Sequence, residues 1–73
     1  MNQEQVQVLM KKADYFYKNS IPVHIKFKEN YWKRGLITEL SSDFFLLDER
    51  MEGKMPIFFL EIEDIREFKE REK

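Results

Sequence analysis

Apolar residues at intervals of three and four open the chain. Val6, Leu9, Met10, Ala13, Phe16 and Tyr17 form one stripe of a helix over residues 3–18. Asn2 can cap its start, with Gln5 three positions on able to reach back to it. Lys18 suits the negative end of the helix dipole. Asn19 tolerates the left-handed backbone of a helix end, and Pro22 bars continuation.

The period then changes to two. Ile21, Val23, Ile25 and Phe27 alternate with Pro22, His24, Lys26 and Lys28, the pattern of a half-buried strand. Lys28, Glu29 and Asn30 turn the chain, with Asn30 at positive φ. A second strand follows over 31–40, and Gly35 inside it marks a bend, a bulge or a close backbone approach. Ser41, Ser42 and Asp43 form a turn. Phe44, Phe45, Leu46 and Leu47 open a third strand with both faces apolar, and Asp48 and Glu49 carry it toward solvent. Residues 50–56, with Gly53, read as a loop. Residues 57–62 read as a fourth strand, again apolar on both faces. Glu63 and Asp64 read as a tight turn, residues 65–68 as a short fifth strand, and 69–73 as a charged tail.

The pattern predicts one domain over 1–73, mainly β with one N-terminal helix (helix about 3–18, strands about 21–68). There is no linker and no repeat. Five consecutive antiparallel strands with a glycine bend tend to curl into a small barrel, with the helix across one open end.

Composition sharpens this picture. A domain of 73 residues is marginal on its own burial. It has no cysteine, so neither a disulfide nor a thiolate metal site can reinforce it. Seven Phe, three Tyr and one Trp supply more apolar area than one small core needs. The outer faces of two-sided strands need a cover, and a second copy adding its strand edge to edge would supply it. The lack of cysteine suits the cytoplasm, and the sequence shows neither a membrane span nor a signal peptide.

Charge is balanced overall at -1 but not along the chain. Residues 1–37 hold seven Lys/Arg and three acids, a net of +4, and residues 38–73 hold six and eleven, a net of -5. A mixed, soluble surface accounts for this; so does a basic face, built from the first half, that meets phosphate.

Enzymatic chemistry finds little material. The lone histidine, His24, lies on the polar face of the first strand, and no nucleophile–base–orienter set can be drawn around it. Asp48-Glu49 and the acids at 61, 63 and 64 lack the turns and spacing of a calcium loop, so they read as solvated faces. With only Gly35 and Gly53 there is no phosphate loop. No metal, cofactor or small-molecule substrate is implied. The one chemical signal is Tyr31-Trp32-Lys33-Arg34, two rings and two cations in four residues. Bases stack on such rings and cations track phosphates. Alternation points Tyr31 and Lys33 one way, Trp32 and Arg34 the other; the alternative reading gives one ring to the core or to a subunit contact.

The arrangement resembles the Sm-like (Sm/LSm) family over about residues 3–68. The residues carrying the likeness are the strand Val23, Ile25, Phe27, the turn at Asn30, then Gly35 and Ile37, and the late segment IFFLEIEDIREF. The resemblance implies a strongly bent five-stranded antiparallel sheet, a small SH3-like barrel. It also implies a homo-oligomeric ring of six or seven copies, in which the fourth strand of one copy pairs with the fifth of the next, and single-stranded RNA as partner. Ile57, Phe58, Phe59, Leu60, Ile62, Ile65 and Phe68 are then the expected subunit contacts. Ser41, Ser42 and Phe44 occupy the loop where relatives hold a base, beside Tyr31, Trp32, Lys33 and Arg34 as RNA contacts.

This sequence departs from the family where the uridine pocket should be. Ser41 and Phe45 stand at the family's Asp and Asn positions, and Glu63-Asp64 replaces its Arg-Gly. Two functions therefore stand side by side: a non-catalytic RNA-binding ring, or a protein-interaction scaffold on the same barrel that binds no nucleic acid.

Overall fold

A computed structural model describes residues 3–69. Helix α1 (Gln3–Lys18) is followed by strands β1 (Val23–Phe27), β2 (Trp32–Leu40), β3 (Phe44–Glu49), β4 (Gly53–Phe58) and β5 (Ile62–Glu67), with a 3-10 turn at Phe59–Glu61 between the last two. The strands form one antiparallel sheet in the order β4-β3-β2-β1-β5, strongly bent but not closed. Among the described residues no helix is long and apolar enough to cross a membrane.

The helix stripe lands mostly as its spacing predicts. Leu9 and Ala13 are buried, Val6, Met10 and Phe16 flank the core, and Tyr17 is exposed at the stripe's margin. The expected Asn2 cap lies outside the described residues. At the other end the left-handed residue is Ser20 (φ 53°), one position beyond Asn19. Ile21 N–H donates to Phe16 O (3.0 Å) and Ser20 N–H to Tyr17 O (3.3 Å), the paired bonds of a Schellman ending. Asn19 instead donates its side-chain amide to Tyr15 O at 2.8 Å. A serine in this backbone region carries strain that glycine does not. Ser20→Gly is expected to raise the urea midpoint at unchanged slope, a gain of about 1 kcal/mol.

Strand β1 alternates buried and half-buried residues along its whole length, with Val23, Ile25 and Phe27 pointing inward. Asn30 sits at φ 70°, and its N–H donates to Phe27 O (2.9 Å), closing the turn into β2. In β2 the register with β3 slips between Ile37 and Glu39, so the strand bends there. Gly35 lies against the Asp48 backbone, and a Cβ at this position would meet the Asp48 carbonyl oxygen at 2.4 Å. Glu49 caps the next turn: its carboxylate accepts the N–H groups of Glu52 (2.7 Å) and Met51 (2.8 Å). These bonds, that of Glu52 foremost, hold its carboxyl below the usual range.

The last third of the chain corrects the expected boundaries. Residues 53–56, expected as loop, begin β4, which ends at Phe58. Phe59, Leu60 and Glu61, expected inside a strand, form the 3-10 turn, and Glu63 and Asp64, expected as the turn, lie in β5. Phe59 turns inward to Phe45 (ring centroids 5.4 Å apart), and its N–H donates to Asp43 O at 3.1 Å. Burying that ring ends the fourth strand early and starts the fifth at Ile62. The connection before β5 is therefore Phe59–Glu61, which moves the family's Arg-Gly position off Glu63 and Asp64.

The core combines inward residues of all five strands with Leu9, Ala13 and Phe59, and among the described residues it contains no polar side chain. Helix α1 packs on β2, β5 and the 3-10 turn. Both sheet edges, β4 and β5, are left open. Because Phe59 N–H points to β3, the alternate backbone groups of Lys54, Pro56 and Phe58 face the β4 edge. On β5, Phe68 N–H donates to Pro22 O (2.8 Å), so the groups of Ile65 and Glu67 face its edge.

Candidate nucleic-acid interface

The outward residues of β2, β1 and β5 converge on one patch. His24 stands directly between Arg34 and Arg66 in the register of the three strands. Its ring lies 4.3 Å from Trp32 and 5.7 Å from Phe68. The Arg34 guanidinium sits over Phe68 (4.9 Å) and that of Arg66 over Trp32 (6.0 Å). Three rings and two cations thus share one surface, with Trp32 exposed. Beside them a shallow recess of about 280 Å³ is lined by Pro22, Arg34, Gly35, Arg50 and Phe68. Exposed rings give bases a stacking surface, and convergent guanidinium groups give phosphates their partners.

Trp32 and Arg34 belong to this patch; Tyr31 and Lys33 do not. Tyr31 stacks on Phe27 (4.5 Å, 5° between planes), and Lys33 reaches across to Glu52 at 3.2 Å. Ser41 and Ser42 are exposed in the β2–β3 turn, away from the cluster. Phe44 faces out from β3 against Phe58 (5.3 Å). Ser42 instead borders a second recess of about 430 Å³ with Val6, Asp43, Phe58, Phe59 and Leu60, apolar and with a carboxylate on its rim. The seven residues named as RNA contacts are therefore split between two places and the Phe27–Tyr31 corner.

The residues named as subunit contacts also divide. Phe58 and Leu60 are exposed (42% and 59%). Ile57, Phe59, Ile62 and Ile65 are buried within the protomer, and Phe68 lies in the cationic patch. Phe44, Leu46, Pro56 and Phe58, paired across β3 and β4, make an outward apolar stripe next to the open β4 edge.

Sequence reasoning missed His24, Arg66, Arg50 and Phe68 as members of the patch. The outward alternation of β1 and a hairpin centred on Glu29, with Asn30 at its positive-φ position, do place His24 opposite Arg34. Nothing local places Arg66 there, because β5 joins β1 from some forty positions away.

Two acidic groups beside the patch, Asp64 and Glu63, are occupied. Asp64 accepts from Arg66 Nε (2.8 Å) and Lys12 Nζ (3.0 Å), and Lys26 lies 3.8 Å from Glu63. Burial pushes the Asp64 carboxyl up, but bonds from Arg66, Lys12 and the Ile65 N–H outweigh it and hold the group below the usual range. Among the described residues no group of His, Asp or Glu side chains could hold a metal ion.

Helix, bent sheet and strand order now stand together, and solved structures share them. The chain superposes on a crystal structure of the pleiotropic translational regulator Hfq with a TM-score of 0.70 at 19% identity, covering 81% of this chain and 97% of that one. The chain has the Sm-like fold. No protein-family model and no curated protein sequence matches it. At this identity the likeness establishes the architecture, and the functional residues must be argued from this chain's own Sm-like sheet.

Proposed function

We propose that this chain is a non-catalytic, ring-forming protein that binds single-stranded RNA on the outward face of β1, β2 and β5. The patch of Trp32, His24 and Phe68 interleaved with Arg34 and Arg66 carries the reading. It joins sequence-tolerant stacking surfaces to phosphate-binding cations. The description of the structural neighbour as a translational regulator supports a place in RNA metabolism.

Self-association follows from the two open edges. Edge-facing residues of β4 point their side chains outward, whereas edge-facing Ile65 of β5 points into the core. Opposite residues of paired strands share a face. Joining the β4 edge of one copy to the β5 edge of the next therefore runs the outward stripe of Phe44, Leu46, Pro56 and Phe58 into the neighbour's apolar interior. This head-to-tail contact leaves both edges covered only when it closes, and we take the closed form to be a ring of six or seven copies.

Fluorescence anisotropy with a labelled unstructured RNA tests the reading. Micromolar or tighter binding is expected at 50 mM salt, weakening about tenfold or more by 200 mM as guanidinium–phosphate contacts are lost. Trp32→Ala should cost about 1–3 kcal/mol of binding. Absence of binding at 50 mM salt sinks the proposal. One observation favours the scaffold reading instead: the recess of Val6, Asp43, Phe58 and Leu60 is apolar and acid-rimmed, which suits a protein segment and repels phosphate. Under that reading Trp32→Ala leaves partner binding untouched and Leu60→Asp abolishes it.

A further inference from the structure

The two open edges are each altered at one backbone donor. Pro56 faces the β4 edge and has no N–H, so this edge offers the carbonyls of Lys54, Pro56 and Phe58 but N–H groups only from Lys54 and Phe58. The β5 edge carries the N–H groups of Ile65 and Glu67, and that of Ile65 is already taken. Asp64 Oδ1 accepts it at 2.8 Å. The same oxygen takes Lys12 Nζ from α1 at 3.0 Å, and Oδ2 takes Arg66 Nε at 2.8 Å.

We propose that Asp64 is a displaceable cap on the assembling edge: in the free protomer it holds the Ile65 N–H, and on docking it yields that donor to a β4 carbonyl of a second copy. The inference rests on the self-association argued above. The β4 edge has one more acceptor than donor, so it fits a strand that can release an N–H. The exchange strands no charge, because the carboxylate keeps Lys12 and Arg66 after letting go of Ile65. A bare donor on an open strand recruits any extended chain. A donor occupied by its own neighbour's carboxylate yields only to a strand that also covers the apolar stripe.

Two measurements separate the cap from the assembly. Amide exchange in dilute protein, where the protomer is free, should find Ile65 slower than Glu67 on the same edge. Asp64→Ala should erase the difference, and Asp64→Asn, which keeps an acceptor oxygen, should retain part of it. Equal rates for Ile65 and Glu67 in the native chain overturn the cap. Sedimentation against concentration then reads the hand-over. Asp64→Ala, checked for native circular dichroism, should assemble at about tenfold lower concentration than the native chain, because a charge-assisted bond no longer competes. A native chain that assembles while Asp64→Ala does so equally or less readily overturns the hand-over and leaves the ring standing. If both stay monomeric at several hundred micromolar, the ring itself fails and the hand-over with it, whatever the exchange data show.

Discussion

Gly35→Ala is expected to lower the melting temperature by more than about 15 °C, or to leave the chain unfolded. The new Cβ would lie 2.4 Å from the Asp48 carbonyl oxygen and 3.1 Å from Leu47 Cγ. Overfilling a core whose neighbours can rotate costs about 1–3 kcal/mol. Here the neighbour is backbone, held in the β2–β3 ladder by the flanking pairs of Gly35 with Glu49 and Ile37 with Leu47. It can retreat only by opening that ladder, so the loss should exceed about 3 kcal/mol, and each kcal/mol is worth roughly 4–8 °C in a domain of this size. Gly53→Ala is the control. Gly53 has φ +81° but nothing within 4 Å of a built Cβ, so only the left-handed strain of about 1–2 kcal/mol applies. Thermal unfolding of both variants by circular dichroism decides the matter: equal losses would refute the steric account of Gly35.

Phe58→Asp and Ile62→Asp should fail in opposite ways. Phe58 is 42% exposed in the protomer and, paired with Phe44, closes one end of the outward stripe. An aspartate there should leave far-ultraviolet circular dichroism intact yet release free protomers of 9.0 kDa at tens of micromolar. A lost interface anchor costs about 2 kcal/mol or more at every junction, a factor of roughly thirty each. Ile62 is 0% exposed, so its aspartate would be a carboxylate sealed in an apolar core, and the chain should not fold. Light scattering that finds Phe58→Asp as large as the native assembly would remove the stripe from the contact.

Much of the fold was legible because its signals are local. The 3.6-residue stripe of α1, the strict alternation of β1, the turn at Asn30 and the close approach at Gly35 each follow from a few adjacent residues. The boundary between β4 and β5 was not legible. Residues 57–60 are an unbroken apolar run, and periodicity cannot tell which ring turns inward. The decision is made by Phe59 packing on Phe45, a contact between distant segments. The candidate site suffered the same way. Trp32 and Arg34 stand out in sequence, but the patch exists only because β1 lies between β2 and β5, which sets His24 against Arg34 on one side and Arg66 on the other. Tyr31 and Lys33, their chain neighbours, are drawn to Phe27 and Glu52 on the opposite face.

The two outermost strands are separated by three others across the sheet, yet only Phe59–Glu61 separates them along the chain. Phe59 is 1% exposed, so this short tether is pinned rather than slack. Tension or order imposed on one margin therefore reaches the other without crossing the molecule. In the proposed ring, a protomer gripped on one edge would have its other edge held in place as well, so each recruit is expected to make the next easier to add. Growth of this kind is cooperative: on dilution, completed assemblies and single protomers should coexist, with chains of two or three scarce between them.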